Sequence, residues 1–103
     1  MLETLTLDTF SPHVGETFRI PLQGDHAIEL ELVDVKSLHD PYAGRPGPRT
    51  ARVPFALVLK GPLTPVLPQQ IYPLEHATIG RHELFMVPIG PDQDRMRYEV
   101  IFT

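Results

Sequence analysis

Apolar and polar residues alternate with a period of two along most of the chain, the mark of strands with one buried and one wet face. Phe18, Ile20 and Leu22 alternate with Arg19 and Pro21, which predicts a first strand beginning near Glu16. Ile28, Leu30 and Leu32 alternate with Glu29 and Glu31, but Val33 and Val35 then carry the apolar set onto the other phase. A one-residue slip would swap the faces, so a β-bulge is predicted near Leu32–Val33. Residues 53–60 are apolar on both faces and read as a third, central strand, with Pro54 at its start because proline cannot donate to a ladder. Residues 71–76, broken by Pro73, residues 82–89, and residues 96 to the end supply three more. About six short strands at this spacing predict a mainly β fold. The expected form is a small antiparallel barrel, closed or partly open, with a two-layer sandwich as the alternative.

Helix is scarce in this pattern. Asp8 is a plausible N-cap for a short helical turn through Phe10 and Ser11, with Pro12 tolerated in the first turn and Gly15 ending it. Such a turn would plug one end of the core with Leu5, Leu7 and Phe10. The segment LEHATIGRHEL is nearly a palindrome about Ile79. A hairpin folding at Thr78-Ile79-Gly80 would put Gly80 at the left-handed position of the loop. His76 would then face His82 on one side, and Glu75 would face Glu83 on the other.

Composition narrows the class. The chain has 103 residues, 12 of them Pro and 7 Gly, too many breakers for a mainly helical protein. Its length fits one domain, taken as residues 1–103. Lys plus Arg number 9 against 13 Asp plus Glu, a net charge of −4, so nucleic acid is not the expected partner. Cysteine is absent, which excludes disulfides and thiolate chemistry and fits a reducing cytoplasm. Acidic residues Glu3 and Asp8 interrupt the start, so no signal peptide is expected. The longest apolar run, residues 84–89, falls far short of the roughly 20 residues that span a bilayer.

Candidate chemistry is thin. His76 and His82, if they face, could share a divalent metal, but such sites usually need three or four ligands and nearby sequence offers no third. Half-exposed strand residues, with no metal and no cofactor, are therefore the expected reading. Glu75 and Glu83 read as like charges on an exposed hairpin before they read as a glycosidase pair. Ser37, His39 and Asp40 adjoin in sequence, but neighbours on an extended chain alternate faces, and a triad is assembled from separated segments. No phosphate loop, calcium loop or zinc-protease motif occurs. The expectation is a protein that is not an enzyme.

Two connections stand out. Residues 39–52, HDPYAGRPGPRTAR, exceed most loops of compact domains and bring Tyr42, Arg45, Arg49 and Arg52 together on an acidic chain. Tyr and Arg are enriched at protein–protein hot spots, so this is the candidate partner-binding loop. Pro62, Pro65 and Pro68 recur at polyproline II spacing, but the interleaved Leu63, Val66 and Leu67 favour a loop that covers one end of the core.

Several short strings have a further likeness: Leu7-Asp8-Thr9-Phe10, Val14-Gly15, Phe18, Phe55 through Gly61-Pro62, Leu67-Pro68-Gln69, Leu74-Glu75-His76, and Leu84-Phe85 through Asp92. Together they resemble an uncharacterised bacterial family of about 100-residue proteins, classed as a domain of unknown function. The resemblance implies a genomic setting near phage-tail-collar-like proteins, and hence an accessory role in a tail-like assembly. It implies no catalytic residues. The leading expectation is a non-enzymatic binding or assembly module with a protein partner, or a homodimer through a sheet edge. The alternative is a barrel binding a saccharide or anionic metabolite, and a His-dependent enzyme ranks last.

Overall fold

The computed structural model describes residues 5–38 and 54–102. Tyr42, Arg45, Arg49 and Arg52, with His39 and Asp40, lie outside the described residues. A four-residue helix α1 (Leu7–Phe10) runs into a 3-10 turn (Ser11–His13). The strands are β1 (Thr17–Pro21), β2 (Ala27–Ser37), β3 (Phe55–Gly61), β4 (Gln70–His76), β5 (Gly80–Asp92) and β6 (Arg95–Phe102). Their order, β1-β2-β3-β6-β5-β4, closes into an antiparallel barrel. This resolves the choice between barrel and sandwich. The closing seam is narrow, since β1 meets β4 at a single pair, Arg19↔Glu75.

The bulge expected at Leu32–Val33 is present as a register shift between Leu32 and Asp34 against β3. It lets Leu32 stay buried while Val35 still packs against the core. A second shift lies between Pro88 and Gly90, where Gly90 takes φ +101°. That irregularity carries β5 through Pro91 to Asp92, so the strand is longer than the predicted residues 82–89.

The interior is filled by side chains. Inward positions of β1, β2, β3 and β6 supply Phe18, Ile20, Leu30, Leu32, Phe55, Leu57, Leu59, Tyr98, Val100 and Phe102, all nearly inaccessible. Helix α1 stoppers one end, with Phe10 5.9 Å from Phe55 and 5.5 Å from Phe102, which themselves stack at 4.4 Å. The helical turn begins two residues earlier than the Asp8 cap implied. Its N-cap is Thr6, whose backbone N–H donates to Thr9 Oγ1 at 3.0 Å. The Thr6/Thr9 pair captures the chain reversal that an Asp8 cap would have placed too late.

The opposite end is covered by the proline-rich connection. Leu67 is buried and its N–H donates to Tyr98 Oη at 2.9 Å, while Tyr72 Oη donates to the Pro68 carbonyl at 2.6 Å. Gly61 faces inward where an added Cβ would overlap a terminal methyl of Leu30, which explains a glycine inside β3. Phe10→Ala is expected to lower unfolding stability by about 3–5 kcal/mol, the usual range for an emptied aromatic core site. Urea denaturation would measure this; a loss under about 1 kcal/mol would mean the helix is not the stopper.

Candidate functional site

The near-palindromic hairpin folds, but two residues away from the expected register. His76 pairs with Gly80, Glu75 with Arg81, Leu74 with His82, and Pro73 with Glu83. His76 and His82 therefore do not face each other, and Glu75 does not face Glu83. A shift of two keeps every side chain on its own face, so the apolar pattern cannot discriminate between the two registers. Local chemistry can. The observed register replaces a Glu–Glu juxtaposition with a Glu75–Arg81 contact at 3.7 Å. It also moves the three-residue turn to Ala77-Thr78-Ile79, followed by Gly80 at φ +92°.

Both histidines grip that turn through its backbone. His76 Nδ1 accepts the N–H groups of Thr78 at 3.0 Å and Ile79 at 3.1 Å. From the other side His82 Nε2 donates to the Ile79 carbonyl at 3.1 Å. His76 is the only buried polar or charged side chain among the described residues, its side chain 3% exposed.

Across the closing seam, His76 Nε2 lies 2.7 Å from Glu16 Oε1. The same oxygen receives His13 Nδ1 at 2.9 Å, and the two imidazoles meet edge to face at 4.6 Å. Phe18 walls the pocket, 4.7 Å from the His76 ring. Glu16 is held in place by backbone: Leu32 N–H donates to its carbonyl and its own N–H donates to the His13 carbonyl. The hydrogen bond from His13, then that from His76, holds the Glu16 carboxyl below its ordinary range, although half of its side chain is exposed.

His13, Glu16 and His76 are the group of three that metal binding would require, with ligand atoms within 4.8 Å of one another. Sequence reasoning had His76 but paired it with His82. Sixty residues separate His76 from Glu16, and only barrel closure joins them. Hydrogen-bond chemistry argues against a metal at this cluster. Backbone amides can only donate, so His76 Nδ1 must be unprotonated and the ring proton must sit on Nε2. Ligation through Nε2 would send that proton to Nδ1, against two amide donors. The cluster is built as a carboxylate accepting two imidazole N–H groups.

Elsewhere, an open cleft of about 430 Å³ lies on the outer face beside Thr17, Glu29, Glu31, Lys60, Pro62 and Arg95. Arg95 and Glu31 pair within it at 2.6 Å, and Lys60 turns to Asp92 at 2.8 Å. On the outer side of the β4–β5 ladder, Ile71 and Phe85 stand directly opposite each other, 62% and 49% exposed. No helix among the described residues is long and apolar enough to cross a membrane.

Because folding lowers the Glu16 pKa, its contribution to stability is complete above the unfolded value near 4.5 and is lost as pH falls through the folded one. Glu16→Gln is expected to flatten this acid limb of the urea-midpoint profile while leaving the barrel folded at neutral pH. Superimposable wild-type and variant acid limbs would refute the assignment.

Comparison with known proteins identifies the chain by family. Residues 5–102 match the model of DUF6916, described as a domain of unknown function, and the chain belongs to that family. No curated protein and no solved structure matches it.

Proposed function

We propose that this member of the family is a non-enzymatic binding module that docks a protein partner through its outer surface. The observation that carries the reading is the Ile71–Phe85 pair, two large apolar side chains in cross-strand register and facing outward. Single exposed apolar residues are ordinary, but an adjacent aromatic and aliphatic pair gives a contact point that a partner can desolvate.

Two further observations support the same reading. The inward positions of the strands are occupied by apolar side chains, which weighs against a saccharide or metabolite held inside the barrel. The polar cluster at Glu16 is consumed in joining β1 to β4 and in capping a turn, which weighs against a His-dependent enzyme. The outer cleft favours a small ligand less than the apolar pair favours a protein, because both of its cations, Arg95 and Lys60, are already held in ion pairs.

The 39–52 connection belongs to the proposed contact surface through Tyr42, Arg45, Arg49 and Arg52. Its two ends are joined at the barrel rim by Leu38 N–H donating to the Pro54 carbonyl at 2.9 Å. An accessory place in a tail-like assembly is the setting that the family resemblance implies for such a module.

Affinity purification from the native cell tests the proposal with three baits: wild type, Ile71→Glu/Phe85→Glu, and Arg45→Glu/Arg49→Glu. The expected result is one specific co-purifying protein, reduced at least about tenfold by the first double variant, the scale of hot-spot loss. Equal recovery with all three folded baits would sink the proposal for both surfaces. Loss with the arginine variant alone would move the contact to the 39–52 connection.

A further inference from the structure

The cluster at the seam has a property that a plain ion pair lacks: its two ends use the two nitrogens of one imidazole. Nε2–H of His76 donates to Glu16 and thereby ties the end of β4 to the run into β1. Nδ1 of the same ring accepts from Thr78 and Ile79 and thereby caps the β4–β5 turn. The seam contact requires a proton on Nε2, and the cap requires Nδ1 to be unprotonated, so together they select the neutral Nε2–H ring.

We propose that His76 is a proton-operated latch on the β4–β5 turn, anchored at the closing seam of the barrel through its other nitrogen. A second proton on the ring can bind only at Nδ1, whose lone pair faces the amides of Thr78 and Ile79. The imidazolium and the capped turn are therefore mutually exclusive. The proton comes from solvent and displaces two N–H donors, while Nε2–H stays on the Glu16 carboxylate and gains charge assistance. A proton on Nδ1 thus opens the turn and leaves the seam joined, whereas release of the seam requires a proton on Glu16.

The groups around the ring are few. The titratable groups facing the ring are His13 from the 3-10 turn, Glu16 from the approach to β1, and His82 from β5 acting through the Ile79 carbonyl. Phe18 covers the remaining side. Arg19, Glu75 and Arg81 lie on the outer face of the same strands, where Glu75 pairs with Arg81 and stands opposite Arg19. The turn is also the place where change is cheapest. Ala77 and Thr78 are exposed, whereas β3 and β6 are buried on their inward faces.

The test uses the full chain labelled with ¹⁵N. Two-bond proton–nitrogen correlations read the tautomer and protonation of each histidine, and amide exchange reads the turn, between about pH 8 and pH 5 where imidazoles titrate. At the upper end His76 is expected as the Nε2–H tautomer. As its ring gains the second proton, exchange at Thr78 and Ile79 should accelerate at least about tenfold relative to intrinsic rates, while Leu57 and Val100 stay protected. In Glu16→Gln the turn response should persist, because Nδ1 is untouched, while Arg19 and Glu75 exchange faster at every pH.

An Nδ1–H tautomer at high pH would overturn the proposal, as would turn protection that ignores the state of the ring. Addition of zinc chloride gives a third reading. The latch predicts an unchanged Nε2–H signal, whereas its stoichiometric loss would replace the latch with a metal site at His13, Glu16 and His76.

Discussion

A sheet that curls back on itself must be joined along one last seam, and in this barrel the seam is its narrowest part. Five of the six strand interfaces are ladders of several residues, but β1 and β4 share only Arg19↔Glu75. Main-chain hydrogen bonding alone gives that junction little. Side chains supply the rest, with the Glu16 carboxylate reaching His76 at the end of β4 and His13 at the end of the 3-10 turn. The apolar interior depends on this closure, because Phe18 and Leu74 stay dry only while β1 and β4 remain side by side. Closure also explains why His76, alone among the charged or ionisable polar side chains of the described residues outside the tyrosines, is buried. His76 is tolerable there because both of its nitrogens are satisfied.

Much of the fold was legible in the order of residues, and the reasons are specific. Alternation identifies which face of a strand is buried, so the six strands, the phase slip after Leu32 and the helical stopper built on Phe10 could all be read directly. What alternation cannot report is a displacement by an even number of residues. The hairpin around Ile79 is such a case, and its true register depends on a side chain capping the turn and on an attractive pair across the strands. At the other end of β5 the strand passes its predicted limit at residue 89 and reaches Asp92, because a bulge at Gly90 admits Pro91 within it.

The candidate site was less visible than the fold. His76 could be picked out by its place near a turn, but the partner that gives it a role lies 60 positions away. His13 and Glu16 offered no signal beyond their spacing, since a histidine and a glutamate three residues apart near a helix end are common on any surface. Their meaning comes from closure. Only when β4 returns to β1 do two imidazoles converge on one oxygen, and no local pattern encodes that return.

The hydrogen bond between Leu38 and Pro54 carries a consequence for evolution and engineering. It joins the two chain ends that flank residues 39–53 just beyond the last β2–β3 pair, Ser37↔Phe55. Closing a longer segment over a fixed base costs only about 0.6 kcal/mol per doubling of length. The barrel can therefore serve as a chassis, able to accept exchanged or lengthened sequence at that position while its own architecture stays the same. Diversification within the family would then be cheapest there, and grafted recognition peptides would find a ready-made anchorage.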